Sequence, residues 1–331
     1  MKDGGRERWT LVLVGPTAVG KSEVALALAE RFGGAVVTAD SAQVYRGLDV
    51  GTDKPPLDQR RKIPHYCLDL AEPVAEFSVA SWLSAARDAI AACRRSGRLP
   101  IVAGGTGLYV EALLRGYTFA PHSPQLRRQL VRRLEAEGLE PLLRELAARD
   151  PEACRRVDRA NPRRVVRALE RALLAPGRTL SGDPAGPPAG ERARTDRELL
   201  GRVVVVGLCR DREELAARIR RRIVREMEDG LLEEVRGLLA RGVPPSAASM
   251  QALGYRQLAA HLLDGLPLER ALERLERDTR RFAKRQMSWF RNRLSGATWF
   301  NLSLGGPGPV ERWLQSILAR SPGMPGSGPA Y

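Results

Sequence analysis

A glycine-rich loop near the start of the chain has the spacing G-x-x-x-x-G-K-S, which binds phosphate chains. The backbone N–H groups of such a loop, together with the N-terminus of the next helix, cradle the anion. Lys21 would neutralise its terminal charge, and the hydroxyl of Ser22 would enter the coordination shell of Mg²⁺. The sequence therefore predicts a ligand that carries pyrophosphate, with Mg²⁺ as cofactor. The loop consists of Gly15, Pro16, Thr17, Ala18, Val19, Gly20, Lys21 and Ser22.

Two more polar segments follow predicted strands. Asp40-Ser41 comes after the second strand, where a carboxylate close to the glycine-rich loop could bind metal or remove a proton. An Asx turn or a helix N-cap explains Asp-Ser equally well. Gly104-Gly105-Thr106-Gly107 follows another strand, which ends without Asp or Glu. The missing acid argues against ordinary ATP hydrolysis and favours a ligand channel lined by backbone, with a glycine turn for packing as the alternative.

Two arginines, Arg218 and Arg222, lie one turn apart on a predicted helix. If the sheet brings that helix close to Ser22, they could clamp phosphate oxygens in a bidentate manner. Surface ion pairs with Glu214 or Glu226 are the alternative.

The chain is strongly basic, and its charge is clustered. Its 331 residues include 54 lysines and arginines, only five of them lysine, against 39 acids, for a net charge of +15. This balance favours a polyanionic partner. Seven arginines lie within Arg155–Arg171, and eight basic residues lie within Arg274–Arg293, interleaved with aromatic residues. Arginine combined with aromatics suits RNA with splayed bases, and solvated helix faces are the alternative for each cluster.

Alternating strand and helix patterns predict the fold class. Strands separated by helices form a parallel sheet covered on both faces, and ligands gather at the carboxyl ends of its strands. From about residue 121 to 180 only helical patterns occur, and Asn161-Pro162 is a strong helix start. We therefore predict an α/β fold: a P-loop NTPase-like parallel sheet flanked by helices, with an inserted all-helical domain. Strand patterns cover residues 9–14, 35–38, 99–103 and 202–208, and helical patterns cover 23–32 and 77–96.

Composition narrows the class of protein further. No apolar run reaches the roughly 18 residues of a membrane helix, and no secretory signal precedes the first strand. The four cysteines are too scattered for a disulfide framework or a zinc site. We expect a cytoplasmic monomer with no membrane association. The predicted domains are a first core segment (1–118), a helical insertion (119–200) with a Gly/Pro-rich loop (181–190), the rest of the core with C-terminal helices (201–310), and a helix end with a flexible tail (311–331).

Together these segments resemble one family, the bacterial tRNA dimethylallyltransferases, also called tRNA isopentenyltransferases. The resemblance extends from about Leu11 to Arg293. At a few positions the chain has a residue other than the one usual in the family, and none of these differences removes a group that the chemistry needs. The positions are Val19, Ser22, Asp53, Tyr66 and Ser288. The motifs that carry the resemblance are LVLVGPTAVGKS, DSAQVYRGLDVGTDKP, PHYCLDL, FSVASW, GGTGLY, NPRRVVRALE, GYRQ and TRRFAKRQMSWFRNR.

The resemblance implies transfer of a dimethylallyl group from dimethylallyl diphosphate to N6 of the adenine at tRNA position 37, next to the anticodon, with release of pyrophosphate. The loop would hold the diphosphate of the prenyl donor, helped by Arg222. Lys21, Ser22 with Mg²⁺, the loop amides and Arg218 would stabilise the leaving group, with Thr17 as a further catalytic residue. Asp40 would accept the N6 proton from a flipped adenine. The tRNA-binding residues would be Asp40, Ser41, Ala42 and Gln43 at the base edge, Thr17 and Thr106 along the passage, and Arg127, Asn161, Pro162, Arg163, Arg164, Val165 and Arg167 at the anticodon stem-loop.

Three other functions remain open at this point. An adenylate isopentenyltransferase would prenylate free AMP, ADP or ATP, but it would not need a basic helical insertion. A small-molecule kinase would share the P-loop, but it would need an acid where Gly104 follows the strand. An RNA-binding module without catalysis would not depend on Lys21.

Overall fold

The computed structural model describes residues 8–117, 123–174 and 197–319. The chain divides into two compact units, one formed by Met1–Leu114 with Arg194–Tyr331 and the other by Arg115–Ala193. The Gly/Pro-rich loop at 181–190 and the predicted tail after residue 319 lie outside the described residues. The elements within the described residues are numbered below in chain order.

The first unit contains a six-stranded sheet of order β3-β2-β4-β1-β5-β6. Every neighbouring pair in it is parallel, as the alternating patterns predict. Its strands are β1 (Trp9–Val14), β2 (Gly34–Thr38), β3 (His65–Tyr66), β4 (Leu99–Gly104), β5 (Arg202–Cys209) and β6 (Thr298–Asn301).

Helices flank this sheet, and the predicted α/β fold class is confirmed. Strands β1, β2 and β4 are buried along their whole length, which explains why they consist of nearly continuous apolar runs. The helices of this unit are α1 (Lys21–Phe32), α2 (Leu57–Lys62), α3 (Val79–Arg95), α4 (Gly107–Arg115), α9 (Arg212–Glu228), α10 (Leu231–Ala240), α11 (Tyr255–Asp264), α12 (Leu268–Arg293) and α13 (Gly308–Ala319), with a 3₁₀ turn at Ser249–Gln251.

The second unit has its own helical core. Leu130, Leu142, Leu146, Val165 and Leu169 are buried together at its centre. Asn161 and Pro162 begin the arginine-rich helix as predicted, and the Asn161 side chain accepts a hydrogen bond from the N–H of Arg164 at 3.3 Å. Its described residues form α5 (Pro124–Glu137), α6 (Leu139–Arg149), α7 (Pro151–Arg156) and α8 (Pro162–Leu174).

Candidate active site at the carboxyl ends of the central strands

The glycine-rich loop connects β1 to α1, as its spacing predicts. Gly20 is the N-cap of α1 with φ +106°, a conformation that favours glycine. A Cβ on Gly15 would lie 2.6 Å from the carbonyl oxygen of Leu208, so β5 leaves no room for a side chain there. Because Gly20 has no side chain to cap α1, the first N–H groups of the helix are left for an anion.

Cationic side chains bind the backbone carbonyls of this loop. Lys21 Nζ donates hydrogen bonds to the carbonyls of Gly15 (3.0 Å) and Pro16 (2.7 Å). Arg218 donates to the carbonyl of Ala18, and Arg210 donates to that of Val19, each at 2.8 Å. Burial lowers the pKa of Lys21 to about 8, and the nearby Asp40 carboxylate opposes that shift. The ammonium group is therefore poorly solvated, which favours pairing with an anion.

A cavity of about 830 Å³ opens beside the loop. Thr17, Ala18, Gly20, Lys21 and Ser22 line it. Val19 is instead fully buried in the hydrophobic core, so its side chain cannot contact a diphosphate. The cavity lining is rich in cations and thus suits a polyanion. The charged side chains in the lining are Lys21, Lys54, Arg218, Arg221, Arg222, Arg225, Arg256 and Arg285 against Glu23, Asp40 and Asp53.

The two arginines predicted to clamp phosphate do lie at this cavity, and both also form ion pairs. Arg218 pairs with Glu23 at 2.7 Å, and not with the Glu214 that the sequence suggested. Arg222 pairs with Glu226 at 2.6 Å, as the alternative interpretation had it. Arg222 also donates a hydrogen bond to the hydroxyl of Thr17 at 3.1 Å, which links it to the glycine-rich loop.

Asp40 forms the turn that the sequence offered as one of two interpretations, and it also lines the cavity. Its Oδ1 accepts a hydrogen bond from the N–H of Ala42 at 2.8 Å, which is an Asx turn. The residue also lines the cavity together with Ser41, Ala42 and Gln43. The Asp40 carboxylate is close enough to Lys21 and Arg222 to raise the pKa of both cations.

Gln43 and Thr106 are engaged by the loops of the same cavity. The side-chain amide of Gln43 donates to the carbonyl of Thr52 at 2.8 Å, so its N–H₂ group organises the loop as well as lining the pocket. Thr106 Oγ1 accepts a hydrogen bond from the N–H of Ser41 at 2.9 Å. This contact joins the loop after β4 to the loop after β2.

The glycines after β4 are required by packing, and two of them also line the cavity. A Cβ on Gly104 would lie 2.0 Å from the carbonyl oxygen of Ala39. On Gly107 it would lie 2.2 Å from the indole of Trp289. Gly104 and Gly105 contribute to the cavity lining. The packing interpretation of this segment is therefore confirmed, and the ligand-channel interpretation stays a prediction.

The basic and aromatic residues of the second cluster, Arg274–Arg293, lie on α12, where some are buried in the core and others line the cavity. Phe290 is fully buried, as the interpretation of core aromatics predicts. Phe282 and Arg285 line the cavity, and the Arg285 guanidinium lies 5.7 Å from the Phe282 ring centroid. Trp289 is 37% exposed.

Sequence reasoning missed three residues that hold the loops in place. Gln286 on α12 accepts a hydrogen bond from the N–H of Thr17 and donates one to the carbonyl of Gly105. Glu234 on α10 accepts hydrogen bonds from the N–H groups of residues 49, 50 and 51 and from the Tyr255 hydroxyl. Lys54, with a side chain 1% exposed, pairs with Asp49 and Asp69. Lys54 and Gln286 lie inside motifs of the family resemblance and Glu234 lies outside them, and only the structure shows the partners of all three.

In the second unit, the position of Val165 contradicts its prediction as an RNA-contacting side chain. Val165 is 0% exposed in the core of this unit, so its side chain cannot touch RNA. It is buried because α8 turns its apolar stripe toward α5 and α6. On the other side of α8, Pro162, Arg163 and Arg164 are exposed.

Two further predicted RNA-binding arginines share a buried partner. Arg127 and Arg167 both pair with Glu170, at 2.7 and 2.8 Å. Glu170 is fully buried and also accepts the N–H of Ser123 at 2.9 Å. Although burial raises the pKa of Glu170, the bonds from Arg127, Arg167 and Ser123 outweigh it and hold the pKa below its usual value. These two arginines therefore stabilise the helical unit, and their guanidinium groups are only partly exposed.

The donor set at the cavity fits Mg²⁺ bound jointly with a diphosphate. Within the described segments, His, Cys, Asp and Glu side chains form no group of three that could hold a metal ion. Mg²⁺ commonly takes one or two protein oxygens and completes its shell with phosphate oxygens and water. The hydroxyl of Ser22, which lines the cavity, provides such an oxygen.

Two other findings bear on the class of protein. Cys67, Cys93, Cys154 and Cys209 are all free thiols, as their scattered positions predict. Within residues 8–117, 123–174 and 197–319, every helix is too short or too polar to cross a lipid bilayer.

A parallel sheet, a glycine-rich loop after its first strand and a basic cavity beside that loop are the features of a P-loop-type α/β enzyme. The family model for IPP transferase matches residues 43–293, and the model for isopentenyl transferase matches residues 10–69. The chain belongs to the IPP transferase family. It is 46% identical to the tRNA dimethylallyltransferase of Thermomicrobium roseum, over 94% of this chain and 89% of that protein. It is 42% identical to that of Geobacter metallireducens, over 94% of this chain and 97% of that protein.

Solved structures show the same fold. The tRNA isopentenylpyrophosphate transferase of Bacillus halodurans has a TM-score of 0.67 and 33% identity, covering 95% of this chain and 98% of that one. A eukaryotic dimethylallyltransferase, solved while acting on tRNA, has a TM-score of 0.74 and 23% identity, covering 97% of this chain and 82% of that one.

The lowered pKa of Lys21 predicts how anion binding depends on pH. With a pKa of about 8, Lys21 is mostly protonated at pH 7 and mostly neutral at pH 9. Since only the ammonium form attracts an anion, pyrophosphate affinity should fall roughly tenfold between these pH values, relative to a Lys21→Arg variant that keeps its charge. Calorimetric titration of both proteins at constant Mg²⁺ measures the ratio of the wild-type affinity to the Lys21→Arg affinity at each pH. The ionisation of pyrophosphate affects both proteins equally and cancels in this ratio. A ratio that does not change with pH would contradict the assignment of Lys21 to the anion site.

Proposed function

We propose that this chain transfers a dimethylallyl group from dimethylallyl diphosphate to N6 of the adenine next to the anticodon of tRNA, and releases pyrophosphate. One observation carries the proposal: the anion-binding loop and the carboxylate of Asp40 line the same cavity, in a chain of the IPP transferase family. The relatives named tRNA dimethylallyltransferase support the choice of substrates. We also propose that the protein acts as a cytoplasmic monomer.

The first half of the reaction is loss of the diphosphate. As the bond between C1 of the donor and oxygen breaks, negative charge accumulates on the leaving pyrophosphate. The ammonium of Lys21, the N–H groups at the start of α1 and the guanidinium groups of Arg218 and Arg222 stabilise that charge. Mg²⁺, held by Ser22 and phosphate oxygens, would add positive charge to the leaving group. The allylic carbon can bear the positive charge that develops on it.

The second half is attack by the amino nitrogen of adenine. The N6 lone pair is delocalised into the ring, so removing a proton as the N–C bond forms assists the reaction. Two observations support Asp40 as the group that accepts this proton: the residue lines the cavity, and its Oδ1 is fixed by the N–H of Ala42. The N6 proton moves to the carboxylate, the new N6–C1 bond forms, and pyrophosphate carries away the electron pair of the broken C–O bond.

Recognition of RNA in preference to a free nucleotide rests on charge beyond the diphosphate site. Arg256 and Arg285 line the same cavity without belonging to the glycine-rich loop or to α9. In the second unit, α8 exposes Arg163 and Arg164. A flipped base can enter a cavity at modest cost when it is unpaired, while the arginines bind the RNA backbone.

The proposal is tested by giving the purified protein dimethylallyl diphosphate with either an anticodon stem-loop or free AMP. We expect the stem-loop to be prenylated at its unpaired adenine with a kcat/KM at least 100-fold above that of AMP. A stem-loop with guanine at that position is the control and should stay unmodified. Faster turnover of AMP would assign the chain to the adenylate isopentenyltransferases, and steady phosphate transfer from ATP without a prenyl donor would make it a kinase.

The isosteric change Asp40→Asn separates the base role of Asp40 from its role in the turn. Asparagine keeps a carbonyl oxygen that can accept the N–H of Ala42, so the loop should fold normally and the Tm should change little. Loss of the carboxylate should lower kcat by roughly 10²–10⁴, measured in single-turnover assays with the anticodon stem-loop. A kcat within threefold of wild type would show that Asp40 stabilises the turn and does not act as the base.

The exposed arginines of α8 should contribute to RNA affinity through counterion release. The double variant Arg163→Gln/Arg164→Gln removes two charges and spares Arg167, which binds the buried Glu170. The slope of log Kobs against log salt concentration should become less steep by about 1.4–1.8. The control Arg236→Gln/Arg270→Gln removes two equally exposed charges from other helices and should leave the slope unchanged. Equal slopes for all three proteins would show that α8 does not bind RNA.

A further inference from the structure

The side chain of Gln286 connects the two loops that border the anion site. Its Oε1 accepts a hydrogen bond from the backbone N–H of Thr17 at 2.8 Å. Its Nε2 donates one to the backbone carbonyl of Gly105 at 2.9 Å. Gln286 comes from α12, is only 7% exposed, and is far in sequence from both partners.

The local packing is built around this amide. A Cβ on Gly105 would lie 2.3 Å from Gln286 Nε2, so any larger residue at position 105 would displace the glutamine. The side chain must accept at one end and donate at the other, which a neutral amide does and a carboxylate does not. Both loops follow neighbouring parallel strands, β1 and β4, so the amide joins the ends of two strands that pair along their length.

Thr17 links the Gln286 amide to the cationic side chains of the anion site. Its hydroxyl accepts a hydrogen bond from Arg222, and the residue lines the cavity beside Lys21. Lys21 in turn binds the carbonyls of Gly15 and Pro16, immediately before Thr17. A fixed Thr17 N–H therefore sets the position of the loop segment against which both cations are arranged.

We propose that Gln286 is a positioning residue for the transfer reaction: it holds Thr17 of the glycine-rich loop and Gly105 of the loop after β4 in the arrangement that stabilises the departing pyrophosphate. This inference rests on the proposed function for its effect on turnover, and on the anion site alone for its effect on pyrophosphate binding. Gln286 acts through Thr17, and it takes no part in the bonds that form or break.

The first test compares Gln286→Ala and Gln286→Glu with a matched control, Gln257→Ala. Gln257 is also a buried glutamine with two hydrogen bonds, one with Gly254 and one with Asp278 of α12, and neither bond goes to the two loops. We expect both Gln286 variants to lower kcat at least tenfold while the Kd for the anticodon stem-loop changes less than threefold. Gln257→Ala should lower the Tm by a similar amount and keep kcat within threefold.

The second test approaches the same contact from the other side. Gly105→Ala forces the Gln286 amide away and should reproduce the loss in kcat, even if Gln286→Ala folds poorly. In the double variant Gly105→Ala/Gln286→Ala the new methyl group has room, so the double variant should be no worse than Gln286→Ala alone. The inference would be overturned if the kcat loss of the double variant equalled the product of the losses in the two single variants. It would also be overturned if Gln286→Glu and Gly105→Ala kept kcat within threefold of wild type.

Pyrophosphate binding separates this inference from the proposed function. Gln286→Ala and Gly105→Ala should each weaken the Kd for pyrophosphate at least fivefold, while Gln257→Ala should keep it within twofold. This result is expected even if the wild-type chain transfers no dimethylallyl group, an outcome that would refute only the proposed function. Unchanged pyrophosphate affinity in both variants would refute the inference while leaving the proposed function intact.

Discussion

A diphosphate carries a dense negative charge, and a protein can remove it from water only by supplying donors and cations that are already in place. In the proposed reaction, the loop between β1 and α1 meets this requirement with its carbonyls and with the N–H groups at the start of α1. Its carbonyls accept hydrogen bonds from Lys21, Arg210 and Arg218, while Gly20 leaves the start of α1 without a side-chain cap. The rest of the site depends on this arrangement.

Keeping so many cations together in one cavity requires counter-charges and fixed loops. Glu23 and Glu226 pair with Arg218 and Arg222, and Lys21 responds to burial by a lowered pKa. The neighbouring loops are held by groups that contribute no charge to the ligand, such as the Gln286 amide. Loops and cations that are held in this way reduce the reorganisation that catalysis would otherwise require.

Much of this site could be predicted from the sequence, because a motif that binds phosphate with its backbone has fixed spacing. Clear apolar runs identify the strands that precede the glycine-rich loop, Asp40 and the segment at Gly104. Because these strands are parallel, their carboxyl ends lie together at one edge of the sheet. The sequence offered Glu214 and Glu226 as partners of Arg218 and Arg222; Glu226 is the partner of Arg222, but the partner of Arg218 is Glu23, which the sequence did not suggest. Side-chain rotamers and helix placement determine which acid lies within reach.

The residues that the sequence did not predict act over long separations. Gln286 and Glu234 bind backbone groups of distant loops, and no local pattern indicates which loop a buried amide or carboxylate will meet. Val165 shows the opposite error, since a residue within an arginine-rich motif was taken for a contact although its own helical period places it in the core. Likewise, Glu170 neutralises Arg127 and Arg167 from inside the unit, so a count of arginines overstates the charge available to RNA.

A crystal structure with pyrophosphate and Mg²⁺ is the most direct test of the central claim. The account predicts density for the anion at the start of α1, in contact with Lys21 and Ser22, with the carboxylate of Asp40 open to the same cavity. An anion bound at another place, or an Asp40 side chain that faces away from the cavity, would contradict the assignment of the leaving group and the base to this site.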